Sequence, residues 1–207
     1  MARILIAYST VDGHTLTICN RLKQSLEQAG HAVTLIEIAE GVNADPEPFD
    51  RIVIGASIRY GKYRPAVITF IEAHRRALER KPSAFFSVNV VARKPGKDTP
   101  GSNPYVKSFR RMTTWVPGEI AVFAGKLDYP KYGFLDRQII RFIMWLTKGP
   151  TDPAACIEFT NWEKVEAFAQ RISGMGGPGT SDASIQAGML KPHPANSKAD
   201  RAAGPIA

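Results

Sequence analysis

Apolar and polar residues alternate in blocks along most of the chain, and the blocks predict strands followed by helices. Short, nearly continuous apolar runs are typical of buried parallel strands, whereas the segments between them repeat apolar residues at helical spacing. The predicted strands cover residues 3–8, 32–38, 51–55, 84–91, 120–125 and 157–159, and the predicted helices cover 15–29, 65–80 and 105–112. A capping-box pattern at 160–163 predicts the start of a last helix. Repeated β-α units indicate an α/β fold with a doubly wound parallel sheet.

One long segment interrupts this alternation. The 31 residues 126–156, called the insert below, separate the fifth predicted strand from the short strand at 157–159. Loops of this length are usually functional. The insert therefore splits the region of the fifth strand and is expected to have a function of its own.

Within the insert, residues 134–147 predict an amphipathic helix. One face carries Leu135, Ile139, Phe142, Ile143 and Leu146, the flanks carry Phe134, Ile140, Met144 and Trp145, and the opposite side carries Arg137, Arg141 and Lys148. At about 1.5 Å per residue the helix is roughly 21 Å long, too short to cross a ~30 Å hydrocarbon layer. Three uses stay open: the helix lies on a membrane, lines a pocket, or packs on the body or in a homodimer interface.

The end of the chain has a different composition from the rest. Residues 176–207 contain repeated Gly and Pro, no aromatic residue and no sustained apolar period, so they predict a disordered tail. Residues 1–175 are then the folded domain.

Composition limits the class of protein. With 207 residues, of which 44% are hydrophobic, the chain can bury one sizeable core. Neither a membrane-spanning run nor a secretory leader is recognisable, which predicts a cytoplasmic location. Cys19 and Cys156 form no C-x-x-C pair and receive no catalytic role, and no metal site is predicted.

The net charge of +8 indicates an anionic partner. Composition alone leaves nucleic acid, an anionic membrane surface and a polyanionic small molecule open.

The loop after the first strand has the chemistry of a phosphate site. Residues 9–15 read S-T-V-D-G-H-T, with neither G-x-G-x-x-G nor G-K-[ST], so the dinucleotide and nucleoside triphosphate sites lose their main support. Ser9, Thr10 and Thr15 offer hydroxyl donors, Gly13 permits a tight turn, and the next helix begins here. An ordinary capped turn is the alternative. Asp12 is expected to cap the loop backbone, because a carboxylate beside a phosphate is unfavourable.

Two more loops reach the same edge of the predicted sheet, at residues 55–64 and 87–97. Both are basic, and together they carry Arg59, Lys62, Arg64, Arg93, Lys94 and Lys97. Six basic residues near one predicted site favour an anionic ligand there.

These three loops resemble the flavin-binding loops of flavodoxins. Thr10, Gly13 and Thr15 match the S/T-x-T-G-x-T phosphate motif, and Asp12 departs from it. The resemblance implies FMN, with Tyr60 or Tyr63 beside the flavin ring. The cofactor-binding residues it implies are Ser9, Thr10, Val11, Asp12, Gly13, His14, Thr15, Ala56, Ser57, Ile58, Tyr60, Gly61, Ser87, Asn89, Val90, Val91, Ala92 and Arg93.

A narrower resemblance covers about residues 2–175. The strings I-G-A-S-I-R-Y-G and S-V-N-V-V-A-R-K-P, with the insert segment Y-P-K-Y-G-F-L-D-R-Q-I-I-R-F-I-M, resemble the flavodoxin-like, menaquinone-dependent protoporphyrinogen oxidases of bacteria. This implies a five-stranded sheet in the order 2-1-3-4-5. It also implies FMN-dependent oxidation of protoporphyrinogen IX to protoporphyrin IX in haem biosynthesis, in three two-electron steps, with electrons passed to menaquinone or ubiquinone.

The same resemblance implies how the substrate is held. Arg59, Lys62, Arg93 and Lys94 are the candidate partners of the two porphyrinogen propionates. Helix 134–147 would give peripheral contact with the cytoplasmic face of the inner membrane. These partners explain the positive charge better than nucleic acid, which is not expected.

Two other functions stay open: a flavodoxin-type electron carrier and an NAD(P)H:quinone reductase. No general base is predicted, since His14 is a lone loop histidine.

Overall fold

The computed structural model describes residues 1–39, 44–146 and 149–176. The predicted tail, apart from Gly176, therefore lies outside the described residues, as do Thr147 and Lys148 of the insert. The strands are β1 (Arg3–Ser9), β2 (Ala32–Glu37), β3 (Arg51–Ser57), β4 (Ser83–Val88), β5 (Glu119–Phe123), β6 (Lys126–Asp128) and β7 (Cys156–Glu158). The helices are α1 (His14–Gln28), α2 (Pro65–Ala73), α3 (Arg75–Arg80), α4 (Pro104–Met112), α5 (Phe134–Leu146) and α6 (Trp162–Gly174).

Five parallel strands form the central sheet in the order β2-β1-β3-β4-β5, which confirms the predicted fold class and strand order. The chain moves from β1 to β2 on one side and then to β3 on the other side of β1. The strand order therefore reverses beside β1, and ligands of such sheets bind at the carboxyl ends of the strands at this position.

Both faces of the sheet are covered by helices. Ile4 and Ile6 of β1 pack in the cluster with α1 and α6, while Leu5 and Ala7 pack in the opposite cluster with α2 and α4. This alternation follows from the period of two along a strand. The predicted core thiol Cys19 is fully buried in the first cluster.

One glycine is required by packing within the sheet. The ring of Phe86 on β4 lies directly against Gly55 on β3, and a Cβ at Gly55 would overlap three of its ring carbons. Any larger residue at position 55 would displace Phe86 from the core.

Three predicted boundaries need correction. The helix at 65–80 is two helices, because the backbone changes at His74, whose ring packs on Phe70. The strand at 84–91 ends at Val88, and a 3₁₀ turn follows over Val90–Arg93. The last helix is capped by the side chain of Asn161, which accepts a hydrogen bond from Lys164 N at 3.0 Å.

The short strand near 157–159 also differs from the prediction. It is β7, and it pairs antiparallel with β6 in a separate two-stranded sheet. In the part of the chain that the structure describes, the fifth strand is therefore not continued in the central sheet after the insert. Instead, β6 at the start of the insert pairs with β7, which begins at the last residue of the insert.

The insert helix α5 is attached by a narrow contact. Met144 is buried, and Ile140 is partly buried, against a small cluster that includes Leu127, Tyr129 and Tyr132. Most of the predicted apolar face, by contrast, points to solvent: exposures are 74% for Leu135, 62% for Phe142 and 68% for Leu146, whereas Ile143 on the same face is only 39% exposed. The helix thus packs on the body through one flank. Within the described residues, no helix has the length and hydropathy needed to span a bilayer.

Candidate active site

A pocket of about 180 Å³ lies at the carboxyl ends of β1, β3 and β4, beneath α5. Of the residues predicted from the sequence, it is lined by Thr10, Asp12, His14, Thr15, Ser57, Ile58, Arg59, Tyr60, Gly61, Asn89, Val90, Val91 and Arg93. Other predicted residues stand outside the lining: Ser9, Val11, Gly13, Ala56, Lys62, Ser87, Ala92 and Lys94. The structure therefore brings parts of all three predicted loops to one site.

The first loop holds two hydroxyls that lack a partner. Ser9 Oγ and Thr15 Oγ1 are buried and have no hydrogen-bond partner among the described residues. Gly13 adopts a left-handed backbone (φ 83°), and its N–H donates to Thr10 Oγ1 at 3.0 Å. No described side chain caps the start of α1. Buried hydroxyls normally have partners, so this loop fits an oxyanion such as a phosphate at the positive end of the helix.

The second loop contains a strained turn. Tyr60 has a left-handed backbone (φ 48°) and is followed by Gly61 (φ 77°), inside a bridge between Arg59 and Lys62. This turn presents the Tyr60 ring at the pocket, 46% exposed. Tyr63, the other candidate for the flavin ring, is instead buried and donates to Ser87 Oγ at 2.9 Å, so it does not line this pocket.

The third loop is fixed by Asn89. Its side chain accepts from Ala92 N at 3.0 Å, donates to Ser87 Oγ at 3.2 Å, and receives a bond from Asn103. Asn89 is itself buried, so the backbone at 89–92 is held rigidly at the pocket wall. A rigid loop can present its N–H and C=O groups to a planar ligand at little entropic cost.

Arg59, in the loop after β3, bonds both to the loop after β1 and to helix α5 at the mouth of the pocket. Its Nη1 donates to both carboxylate oxygens of Asp12, at 2.9 and 2.8 Å, and its Nη2 donates to Asp136 of α5 at 2.7 Å. The Tyr60 hydroxyl also donates to Asp136. This hydrogen bond is the main cause of the lowered pKa of the Asp136 carboxyl, and the positive charge of Arg59 lowers that pKa further. The guanidinium lies 5.1 Å from the Tyr132 ring centre. Asp12 therefore pairs with Arg59 and, among the described residues, makes no bond to the loop backbone, contrary to expectation.

The remaining predicted cations are spread more widely. Arg93 lines the pocket, donates to Val90 O at 2.9 Å, and has a pKa lowered by burial. Lys62 lines a neighbouring groove, and Arg64 donates to Thr10 O at 3.1 Å. Lys94 and Lys97 lie away from the lining. The positive charge at the pocket is thus concentrated on Arg59, Arg93 and a third cation, Lys126.

His14 connects the first loop to the end of the insert. Its Nε2 is 2.6 Å from Thr160 Oγ1, and that hydroxyl donates to Ala124 O at 2.9 Å. Because the hydroxyl hydrogen is used by Ala124, Nε2 must be the donor to Thr160. Burial lowers the pKa of His14, which favours the neutral ring.

Sequence reasoning did not predict part of the lining. The additional residues are Val88, Tyr105, Gly125, Lys126, Leu127, Tyr132, Ile140, Ile143 and Met144. Residues 125–127 directly follow β5, so the rule that ligands bind at carboxyl strand ends could have indicated them. The sequence left open that the insert helix lines a pocket, but it did not indicate which of its residues do so. Tyr132 carries no such signal, because its position depends on how the insert folds back.

Comparison with known proteins agrees with this architecture and confirms the resemblance drawn from the loops and the insert. Residues 5–154 match the flavodoxin domain family. A protein of Escherichia coli (strain K12) named protoporphyrinogen IX dehydrogenase (quinone) is 42% identical over 171 residues, which cover 83% of this chain and 94% of that protein. A Leishmania major protein of the same name is 38% identical over 174 residues, covering 84% and 75%.

Solved structures support the fold separately. Oxidised flavodoxin 1 from Bacillus cereus has a TM-score of 0.51 at 14% identity, covering 84% of this chain and 99% of its own. At that identity the likeness concerns the fold alone. The chain belongs to the flavodoxin domain family and, within it, to the family of the protoporphyrinogen IX dehydrogenases (quinone).

Proposed function

We propose that the protein oxidises protoporphyrinogen IX to protoporphyrin IX with a bound flavin, in haem biosynthesis, and passes the electrons to a quinone. The observation that carries this proposal is the 42% identity to the Escherichia coli protein of that name, over 171 residues that cover 83% of this chain. When bound, the flavin supplies two-electron chemistry. The chain itself supplies position, charge and exclusion of water.

Within the flavins we propose FMN, because the first loop fits a single phosphate. Ser9 Oγ and Thr15 Oγ1 would donate to the phosphate oxygens at the start of α1, and the rigid 89–92 backbone would hold the ring. Tyr60 would cover one side of the ring.

A pair of ligands tests the phosphate site. Thr15→Val should weaken FMN binding roughly tenfold or more, since a hydrogen bond to a charged group contributes about 1.5–3 kcal/mol. Riboflavin, which has no phosphate, should bind wild type and variant equally well in a fluorescence titration. Equal loss for both ligands would contradict a phosphate role for Thr15.

The cations at the mouth support a substrate with carboxylates. Arg59 and Arg93 line the pocket, and Lys62 and Lys94 follow them in the same loops. Charge reversal at Arg59 should raise the apparent KM for protoporphyrinogen IX and leave the flavin content intact, and charge reversal at Arg93 should raise the same KM. Normal kinetics in both variants would remove these arginines from substrate binding.

Anaerobic mixing separates the proposed reaction from its alternatives. Protoporphyrinogen IX should bleach the flavin absorbance of the purified protein, and NADPH should not. Bleaching by NADPH alone would indicate the NAD(P)H:quinone reductase, and no reaction with either would indicate an electron carrier.

The exposed face of α5 supports peripheral contact with a membrane, where a quinone is found. Its Leu135, Phe142 and Leu146 are largely exposed, and the helix is too short to span a bilayer. Removal of residues 134–146 should preserve flavin binding and abolish turnover with quinone in vesicles. A stable homodimer in solution that buries this face would contradict membrane contact and would show that the face binds a second copy of the chain.

A further inference from the structure

The carboxylate of Asp136 lies where a substrate carboxylate would be expected. Arg59 Nη2 and the Tyr60 hydroxyl both donate to it, which makes a two-point carboxylate site at the pocket mouth. Arg59 is held separately by Asp12 through Nη1, so its position does not depend on Asp136. Two donors that fit one carboxylate fit another of the same chemistry.

The two carboxylates on Arg59 differ in how firmly they are held. Asp12 belongs to the loop between β1 and α1 and receives two bonds from Nη1, whereas Asp136 is on the first turns of α5. The two carboxylates are exposed to a similar extent, 37% for Asp12 and 44% for Asp136, so both ion pairs are weakened by solvent. Their attachment differs, because α5 packs on the body only through the narrow contact of Met144 and Ile140. Asp136 is therefore the partner that can be replaced by a movement of the helix.

The size of the pocket favours a movement of α5 when the substrate binds. Its volume of about 180 Å³ is below the ~300–1,000 Å³ typical of sites for one drug-sized ligand, and α5 forms part of its wall through Ile140, Ile143 and Met144. A flavin ring and a tetrapyrrole together exceed this volume, so a shift of the first turns of α5 would make room for both.

We propose that Asp136 is a specificity-determining residue: in the substrate-free protein it occupies the carboxylate site of Arg59 and Tyr60, and a propionate of the substrate displaces it. The exchange releases the first turns of α5 from the mouth and opens the pocket only to a ligand that carries a carboxylate. This inference rests on the proposed function and adds to it the residue that competes with the substrate.

If Asp136 competes with the substrate, its removal should lower the KM for the substrate. Asp136→Asn removes the competing charge, so the apparent KM for protoporphyrinogen IX should fall about two- to fivefold while kcat is unchanged. A residue that merely stabilised the helix would raise KM or lower kcat. The dimethyl ester of the same porphyrinogen has no free carboxylate and cannot displace Asp136, so its KM should be high in wild type and should also fall in Asp136→Asn, in which the pocket is no longer closed to it.

A matched variant controls for general charge. Gln138→Lys raises the net charge of α5 by one, as Asp136→Asn does, and Gln138 lies outside the pocket lining. It should leave both KM values at the wild-type level. An equal fall of KM in Gln138→Lys would overturn the proposal, because long-range attraction would then explain the effect.

A double-mutant cycle tests whether Asp136 acts through Arg59. Arg59→Gln should raise KM for the dicarboxylate, and adding Asp136→Asn should change it no further. An unchanged or higher KM in Asp136→Asn alone, with a turning-over wild type, would overturn this inference only. Absence of turnover in flavin-loaded wild type would overturn the proposed function and the inference together.

Discussion

The body of the molecule and the α5 helix of its insert are both rich in apolar residues, but they use them in opposite ways. In the body, meaning the central sheet with α1–α4 and α6, residues such as Phe86 and Phe168 are completely buried. In α5, Met144 is buried, whereas Phe142 and Trp145 are more than 60% exposed. The difference teaches that apolar residues in the body stabilise the fold, while those of α5 remain available for contacts outside the chain.

The largest expected effect is a difference in stability between a substitution in the body and the same substitution in α5. Phe86→Ala removes a fully buried ring and should lower the free energy of unfolding by about 3–5 kcal/mol. Phe142→Ala, the same substitution on α5, should change it by no more than about 0.5 kcal/mol. Urea unfolding of the flavin-free protein measures both. A large loss in Phe142→Ala would mean that α5 also stabilises the fold.

An intermediate effect concerns contact with vesicles. Replacing Phe142 and Trp145 together by serine should reduce binding to anionic vesicles about tenfold or more, since burying one such side chain contributes roughly 1.5–3 kcal/mol. Met112→Ser with Val116→Ser removes two exposed apolar residues away from the insert and is the matched control. Equal losses in the two double variants would show that α5 has no special role in this binding.

The smallest expected effect is the pH dependence of stability that comes from His14, which bonds to Thr160 just after the insert. Its folded pKa is lowered by burial from the ordinary value of 6.5, so the unfolded chain takes up a proton at higher pH than the folded protein. The contribution of His14 to stability is therefore present above pH 6.5 and decreases as the pH falls below it.

Thermal unfolding between pH 7.5 and 5 measures this contribution. Wild type should lose more stability on acidification than His14→Gln, which keeps a donor for Thr160. Parallel pH profiles for the two proteins would contradict this role of His14.

Regular features could be predicted from sequence because they depend on local pattern. The runs around Ile4, Ile52 and Phe85 are apolar on both faces, and this requires a covered parallel sheet. The S-T-V-D-G-H-T loop predicts an oxyanion site because its hydroxyls and glycine are adjacent in sequence. The flank of α5 that packs on the body could not be predicted, because its whole circumference, apart from the basic side, is apolar.

The role of Arg59 illustrates the same limit. Sequence presents it as one of six loop cations near a predicted mouth, whereas the structure joins it to Asp12 and to Asp136. These partners lie 47 and 77 residues away along the chain, and no local rule connects them.

The sequence by itself therefore determined the α/β class, the strand order through a family resemblance, the three loops of the pocket and the amphipathic insert helix. These follow from hydrophobic period, turn chemistry and short motifs, which act over a few residues. Only the tertiary structure decided which side of α5 faces solvent, that β7 pairs with β6, and that Asp136 reaches Arg59. Such contacts join segments distant in sequence, and their formation depends on the packing of the whole chain.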